Sequence, residues 1–295
     1  MSLTLVSADH RTHLSTEEFR SRYLAGDGTP VVVTDAVEQW PARAWSFDFF
    51  RQRYGDDVVI VADTLGRPNA ARKATIRDFL NYVEYPDGSA LSQVPTPTPL
   101  YMNSYSPFVQ HPELLDDFQE PYFIDNWYRK MKGDFADWYN QGFGWVFLGP
   151  AATVTPLHVD LFGTHAWLAQ IVGRKRITLY PPSQSSYLYG GAVDPLRPNL
   201  ERFPLYANAT PIELVLEPGE VVFIPTGWFH HVVSLDNSIS LTFNFVNESN
   251  FATHVLAISR DLPLWTKKTG TPAMRQALGI EWVCKGWEFP QSSKK

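Results

Sequence analysis

Two short stretches of the sequence carry side chains that could bind one metal ion together. His158 and Asp160 stand two positions apart in a strand-like stretch. Side chains two positions apart on an extended chain lie on the same face, so the imidazole and the carboxylate could reach one ion. Farther along, the adjacent His230 and His231 follow the apolar run 221–224. Neighbouring strand residues face opposite sides, so only one of these two histidines could join the site, and spacing alone leaves that choice open.

Two imidazoles and one carboxylate form a facial ligand set that leaves three coordination positions open, which suits non-haem Fe(II). An isolated His-x-Asp pattern is common by chance, and a buried histidine bonded to the backbone is the more frequent situation. The combination favours a metal site, since the pattern, a basic strand and the histidine pair all lie in one β-rich stretch.

One lysine has the spacing to share a face with core residues. Lys175 lies in a basic turn directly before a short apolar run. Strand alternation places Lys175, Ile177 and Leu179 on the same side. A solvated basic turn is the simpler interpretation of this motif. An ammonium that does point into a barrel needs an anion, because an unpaired buried charge costs several kcal/mol.

The elements that must position these residues fall between residues 145 and 250. Short apolar runs alternate there with turn signals such as Pro218-Gly219 and Asp236-Asn237. This spacing is typical of an antiparallel barrel or sandwich. We therefore predict a mainly β fold with flanking helices, a double-stranded β-helix (jelly-roll or cupin) core and one domain over 1–295. Its parts are an N-terminal α/β elaboration over 1–110, the barrel core over 145–250 and a C-terminal helical segment over 251–295.

Local patterns divide the N-terminal elaboration into short elements, and one long insert interrupts the barrel. Ser, Thr and acidic residues at predicted helix starts are typical N-terminal caps. The insert over 182–211 is rich in Pro, Ser, Tyr and Asn, and is either a substrate lip or a simple connection. Helices are predicted over 15–25, 46–54 and 75–83, and strands over 30–34 and 58–62, the latter buried.

Composition excludes several classes of protein. The chain has 295 residues, 44% of them hydrophobic and 19% charged, which is a globular composition. A single cysteine, Cys284, excludes an internal disulfide framework and a thiolate zinc cluster. A net charge of −6 disfavours broad electrostatic binding to nucleic acid. Neither a long apolar span nor a basic-then-apolar leader is evident, so we expect no membrane segment and a cytoplasmic location.

Taken together, these motifs resemble the JmjC-domain, cupin-type 2-oxoglutarate oxygenases. The resemblance is strong over 100–250 and weaker upstream. It is to the small hydroxylase branch in particular, which includes the jumonji-type lysyl hydroxylases and the asparaginyl hydroxylase known as factor-inhibiting HIF. The stretches that carry it are His158-Val-Asp160-Leu-Phe-Gly-Thr-His-Ala-Trp167, Gly173-Arg-Lys175-Arg, Pro218-Gly-Glu-Val-Val-Phe-Ile-Pro225-Thr-Gly-Trp-Phe-His230 and Leu241-Thr-Phe-Asn244-Phe.

The resemblance implies a role for each candidate residue. It assigns the metal to His158, Asp160 and His230, and so selects the first histidine of the adjacent pair. The distal carboxylate of 2-oxoglutarate would be held by Lys175, Thr155 and Tyr101. Asn244, with Thr242, would line the end of the site next to the metal. The implied cofactors are Fe(II), 2-oxoglutarate as cosubstrate and O2.

One position departs from the pattern of the similar proteins. They carry an asparagine directly after the tryptophan of the Gly-Thr-x-Ala-Trp stretch, facing the cosubstrate. Leu168 occupies that position here. Gln170, two residues later and on the same strand face, is the residue expected to compensate.

The expected function is Fe(II)- and 2-oxoglutarate-dependent hydroxylation of a protein or peptide side chain, or of an amino-acid-like small molecule, with succinate and CO2 as co-products. Demethylation starts from the same hydrogen abstraction and ranks second among reactions. The alternative of another class is a cupin that binds a metal without redox turnover, as a sensor or interaction module. A zinc or manganese isomerase or hydrolase is disfavoured, since it has no dicarboxylate for Lys175 to bind. In this family, C-terminal helices often form a homodimer interface, and a helical cap on the same subunit is the alternative.

Overall fold

Two β-sheets face each other across the part of the chain that carries the predicted site. The structure is a computed structural model that describes residues 6–65, 71–93, 96–130, 143–258 and 260. The strands in these ranges are β1 Val6–Ser7, β2 Asp9–Arg11, β3 Val31–Val33, β4 Val58–Val61, β5 Arg72–Thr75, β6 Met102–Tyr105, β7 Gly144–Gly149, β8 Val154–His158, β9 His165–Val172, β10 Lys175–Tyr180, β11 Ile212–Leu216, β12 Val221–Ile224, β13 Phe229–Ser234 and β14 Ser238–Phe245.

The order of the strands is that of a jelly-roll. One sheet has the order β1-β11-β10-β13-β8, and the facing sheet has the order β2-β3-β12-β9-β14-β7-β6. Antiparallel pairing sets the register that matters for the site: His230 pairs with His158 across β13 and β8, and with Leu179 across β13 and β10. The predicted mainly β, cupin-type fold is confirmed.

The larger sheet is covered on its outer face by the N-terminal part of the chain. Every residue of β14 is buried, although its sequence alternates polar and apolar side chains. Its Leu241 and Phe243 belong to one apolar cluster with Trp40 and Phe79 from the N-terminal region. The N-terminal elaboration therefore buries the outside of the barrel, while the inner face is free to line a cavity.

The predicted N-terminal helices exist, and their starts are capped by hydroxyl side chains as expected. Helix α2 (Phe47–Tyr54) begins after Ser46, and α3 (Ile76–Glu84) begins after Thr75. In both, the cap hydroxyl accepts a hydrogen bond from a backbone N–H of the first turn, which satisfies a donor that the helix leaves free. The helix predicted over 15–25 is shorter: α1 spans Thr16–Glu18 and continues as a wider π-helical turn over Phe19–Tyr23.

The strand predicted to be buried over 58–62 is buried on one side alone. Val58 is 68% exposed and Ile60 is 44% exposed, whereas Val59 and Val61 are buried. The strand pairs with β5 in a two-stranded sheet outside the barrel, so its second face has no layer to cover it. This unbroken β-branched run therefore forms a strand with one buried and one exposed face, not a strand that is buried on both faces.

Two other segments complete the described chain. The insert contains 3₁₀ turns over Pro182–Gly191 and Pro204–Asn208, and it packs Leu188 and Tyr206 against Leu157 and Tyr180 of the smaller sheet. After β14, residues 251–258 are helical. The rest of the predicted C-terminal helical segment and Cys284 lie outside the described residues. No helix in the described ranges is long and apolar enough to cross a membrane.

Candidate metal centre

The three predicted metal ligands meet at one end of the barrel. One ligand atom from each of His158, Asp160 and His230 lies within 4.8 Å of the other two, which is close enough to hold a single ion. Strand pairing creates this proximity, because His230 stands directly opposite His158. The local expectation for Asp160 needs correction: β8 ends at His158, and Asp160 follows it in an extended conformation that begins a turn.

Hydrogen bonds to the backbone orient both imidazoles. Nδ1 of His158 lies 2.8 Å from the carbonyl oxygen of Pro156, and Nδ1 of His230 lies 3.2 Å from that of Trp228. A carbonyl oxygen only accepts, so Nδ1 carries the proton in both rings and Nε2 keeps a free lone pair. Burial lowers the pKa of His230 to about 4, with a further contribution from His158, so this ring is neutral near pH 7.

The second histidine of the adjacent pair faces away from the site. His231 is buried on the opposite side of β13, and its Nε2 has no hydrogen-bond partner among the described residues. Burial lowers the pKa of this residue to about 4 as well. The structure thus resolves the choice that the sequence pattern left open: His230 joins His158 and Asp160, and His231 does not.

A cavity of about 310 Å³ runs from the metal ligands into the barrel. Its walls come from both sheets, and most of its lining is aromatic or aliphatic. The predicted residues Thr155, Lys175, Thr242 and Asn244 all line it. The full lining comprises Asn103, Phe143, Trp145, Phe147, Thr155, His158, Asp160, Leu161, Phe162, Ala166, Leu168, Lys175, Ile224, His230, Val232, Thr242 and Asn244.

Lys175 is a buried cation in this cavity. Its residue is 1% exposed, and its Nζ donates to the Tyr101 hydroxyl at 3.0 Å. The ammonium also lies 5.3 Å from the centroid of the Phe147 ring. Among the described residues, no carboxylate lies within salt-bridge distance of it. Burial accordingly lowers the pKa of Lys175 to about 7.

Two hydroxyl groups accompany the lysine. Tyr101 is buried against it, and burial raises the pKa of this phenol, so it stays protonated as a donor. The Thr155 hydroxyl makes a hydrogen bond with the Tyr101 phenol, and this bond lowers the pKa of Tyr101 against part of the effect of burial. An ammonium and two hydroxyls connected by hydrogen bonds can together bind an anionic oxygen pair.

The other predicted contact residues, Thr242 and Asn244, make hydrogen bonds within the protein. The Thr242 hydroxyl donates to the backbone oxygen of Trp167 at 2.7 Å, and the Asn244 amide donates to the Thr164 hydroxyl at 2.7 Å. Gln170 does not compensate for Leu168, contrary to expectation. Its amide donates to the carbonyls of Val172 and Gly173 and accepts from Ser240, so Gln170 stays outside the cavity lining while Leu168 forms part of it.

Sequence reasoning missed one polar residue and the aromatic residues of the cavity lining. Asn103 lines it two positions after Tyr101, and Trp145 and Phe147 form an aromatic wall along β7. Period-two alternation from Tyr101 was a signal that could have identified Asn103. None of the insert residues belongs to the described lining, so the insert lies outside the cavity wall.

The chemistry of the donor set fits a divalent transition metal. Two imidazole nitrogens and one carboxylate oxygen are the ligand types of non-haem Fe(II) centres, and here they lie within 4.8 Å of one another. All three residues line the cavity, which leaves room for further ligands. The residues therefore fit the metal that the resemblance implies.

Comparisons with known proteins agree with this geometry. A family model described as a cupin-like domain matches residues 16–251. The arginine-specific demethylase JMJ20 of Arabidopsis thaliana is 29% identical over 262 residues, which cover 81% of this chain and 56% of that protein. The lysine-specific demethylase JMJ30 of the same plant is 33% identical over 260 residues, 84% of this chain and 57% of the relative.

A third similar protein carries a name that states its cofactors. The 2-oxoglutarate and iron-dependent oxygenase JMJD4 of Mus musculus is 32% identical over 250 residues, which cover 75% of this chain and 56% of the relative. The chain thus spans about half the length of the curated relatives it matches. The jelly-roll, the His-Asp-His group and the family match place this chain in the cupin-like JmjC domain family, and its relatives include proteins named as 2-oxoglutarate and iron-dependent oxygenases.

Proposed function

We propose that this chain is an Fe(II)- and 2-oxoglutarate-dependent dioxygenase that hydroxylates a protein or peptide side chain, or an amino-acid-like small molecule. The observation that carries the proposal is the pairing of two features in one cavity. A facial His-Asp-His group stands at one end, and a buried ammonium without a described carboxylate partner stands at the other.

The separation of the two ends suits a short dicarboxylate. Leu179 of β10 pairs with His230, and Lys175 lies four residues earlier on the same strand, which places the two levels about 13 Å apart along the sheet. Lys175 and His230 line the same cavity, so the ammonium and the metal ligands face one enclosed space. A five-carbon keto-diacid could then touch the ammonium with one carboxylate and reach the metal end with the other.

Each residue has a defined share in this scheme. Lys175, Tyr101 and Thr155 would bind and orient the distal carboxylate, as charge-assisted and neutral donors. His158, Asp160 and His230 would hold Fe(II), which when bound supplies the redox chemistry that couples decarboxylation of 2-oxoglutarate to oxidation of the substrate. The apolar walls exclude water and fix the geometry in which the substrate carbon meets the metal end.

The names of the relatives support a macromolecular substrate without selecting one. Two of them are named as arginine- or lysine-specific demethylases and one as an oxygenase. We propose hydroxylation of a protein or peptide as the primary reaction, with demethylation second. We further propose a homodimer formed through the predicted C-terminal helical segment, most of which lies outside the described residues, and a cytoplasmic location.

The direct test is turnover of 2-oxoglutarate by the purified chain. Supplied with Fe(II), ascorbate and 2-oxoglutarate, the protein should form succinate, measured by NMR, and the product should disappear when Fe(II) is chelated. Incubation with cell extract should then add one oxygen to a specific protein or metabolite, measured by mass spectrometry.

Two results would contradict the proposal. Metal binding without any succinate would favour the non-redox cupin instead. Loss of a methyl group with release of formaldehyde would show demethylation as the reaction.

A further inference from the structure

The turn that follows the metal ligand Asp160 has an unusual backbone. Phe162 has φ 56° and ψ 25°, and Gly163 has φ 61°, so two successive residues adopt the left-handed conformation. A phenylalanine in this region is strained and persists only where its surroundings hold it. Leu161 and Phe162 also line the cavity, so this turn shapes both a metal ligand and a wall.

Three buried side chains hold the turn by its three successive carbonyl groups. The Thr164 hydroxyl donates to the Leu161 oxygen at 2.9 Å. Nδ1 of His254 donates to the Phe162 oxygen at 2.7 Å, and the Asn250 amide donates to the Gly163 oxygen at 3.1 Å. Thr164 is 1% exposed, Asn250 is 0% exposed and His254 is 2% exposed, so each bond is shielded from water.

His254 is itself held in one protonation state. Because the Phe162 carbonyl accepts only, Nδ1 carries the proton and Nε2 must accept. The Tyr128 hydroxyl lies 2.6 Å from that Nε2 and supplies the hydrogen. Burial lowers the pKa of His254, which favours the same neutral form. A continuous chain of hydrogen bonds therefore runs from Tyr128 through His254 to the strained residue.

The helix that carries His254 packs directly on the turn. A side chain added at Gly163 would come within 3.0 Å of Thr253 Cγ2 and within 3.3 Å of its backbone. The helical residues 251–258 follow the last barrel strand, and the cupin-like match ends at residue 251. His254 thus lies beyond the part of the chain that the family model describes.

We infer that His254 is a positioning residue for the metal centre, which fixes Asp160 by clamping the Phe162 carbonyl from outside the barrel. The inference rests on the proposed function, in which Asp160 binds the metal. With this hydrogen bond in place, the backbone after Asp160 keeps one conformation. The Asp160 carboxylate then stays directed at the two imidazoles. Without this bond, Phe162 can leave the left-handed region, and the Asp160 backbone turns with it.

Binding of Co(II) to the protein without 2-oxoglutarate tests this inference, measured by the visible absorption of the bound ion. Wild type should bind Co(II), and His254→Ala should weaken binding by about tenfold or more, as loss of a ligand-orienting partner does. His254→Asn retains an N–H near the place of Nδ1 and should recover most of the affinity. At saturating Fe(II), the KM for 2-oxoglutarate should stay at its wild-type value, because the lysine end is untouched.

The matched control is His111→Ala. His111 Nε2 lies 2.7 Å from Asp57 Oδ2, so this variant also removes a hydrogen-bonded imidazole, in the N-terminal region away from the cavity lining. It should keep wild-type Co(II) affinity whatever its effect on thermal stability. Equal weakening in both variants would show a general loss of stability and overturn the inference.

Three further outcomes decide the matter. Unchanged Co(II) affinity in His254→Ala, with tight binding by wild type, overturns the role of His254 and leaves the proposed function intact. Absence of Co(II) binding in wild type overturns both. If His254→Ala does not fold, Tyr128→Phe removes the partner of Nε2 alone: a several-fold weaker affinity supports the inference, and an unchanged affinity overturns it.

Discussion

The two ends of the cavity are built on opposite electrostatic principles. At the metal end, both histidines are bonded to backbone carbonyls and present free lone pairs. At the lysine end, a buried ammonium lies beside two aromatic rings and donates to the Tyr101 hydroxyl, and burial lowers the pKa of Lys175 to about 7. The first end is arranged before any ligand arrives, whereas the second is electrostatically unbalanced in the protein alone.

This difference explains how one cavity could select two unlike ligands. Neutral, oriented donors favour a cation and cost little to bury once they are hydrogen-bonded. An uncompensated buried ammonium lowers the free energy of unfolding of the protein, and a bound anion restores it. Part of the affinity for a carboxylate therefore comes from neutralising this unfavourable charge. A substitution at either end should therefore change the free energy of unfolding and the affinity for that end's ligand in opposite directions.

The largest expected effect is at the metal end, between two adjacent histidines. His230→Ala should abolish succinate formation, a loss of about three orders of magnitude or more, because it removes a metal ligand. His231→Leu should keep turnover, since His231 faces away and its Nε2 has no hydrogen-bond partner in the part of the chain that the structure describes. Its free energy of unfolding should change little or rise, because an apolar side chain of similar size replaces an unsatisfied polar atom. Equal turnover in the two variants would remove His230 from the metal site.

The next effect is at the lysine end. Lys175→Met keeps the length and apolar stem of the side chain and removes the charge. The KM for 2-oxoglutarate should rise by about 100-fold, the usual cost of truncating one partner of a buried charge pair. Metal affinity should stay at the wild-type level, measured by Co(II) titration. A KM within twofold of wild type would show that the cosubstrate does not reach this lysine.

The pH dependence of stability separates the lysine end further. The pKa of Lys175 is about 7 in the folded chain, against about 10.4 for an unfolded lysine. Between these values the unfolded chain binds the extra proton, so the free energy of unfolding should rise with pH across that window. Without 2-oxoglutarate, Lys175→Met should be more stable than wild type at pH 7, and the difference should shrink toward pH 10. Urea unfolding at several pH values measures it, and a constant difference would contradict the assigned burial.

The smallest effect concerns a single hydroxyl at the same end. Tyr101→Phe removes the acceptor of the Lys175 ammonium and one donor for a bound carboxylate, but leaves the ring in place. The KM for 2-oxoglutarate should rise by about fivefold, which corresponds to one hydrogen bond of about 1 kcal/mol. An effect as large as that of Lys175→Met would mean that the phenol, not the ammonium, is the main anchor.

Prediction from sequence succeeded where a residue pattern is compatible with only one local structure. The turn-separated apolar runs from residue 145 onward indicated the jelly-roll, and capping residues such as Ser46 and Thr75 marked real helix starts. Alternation placed Lys175 among core residues, where the structure has it. Prediction failed at Val58, because the burial of a strand depends on which layer covers it. It failed at Gln170, because the position of an amide depends on which hydrogen-bond partners reach it.

The sequence by itself determined the chemical inventory: two histidines and an aspartate at strand ends, a lysine in phase with a core strand, and hydroxyls beside it. The metal-ligand types and the lysine follow from residue type and from the period of two along an extended chain, whereas the hydroxyls of Thr155 and Tyr101 follow from the family resemblance. The tertiary structure showed that His230 rather than His231 turns inward, a choice that strand alternation leaves open and the family resemblance implies. It alone decided that Leu168 rather than Gln170 lines the cavity and that His254 reaches the turn after Asp160. Such outcomes depend on strand register and on packing between residues far apart in sequence, which no local pattern encodes.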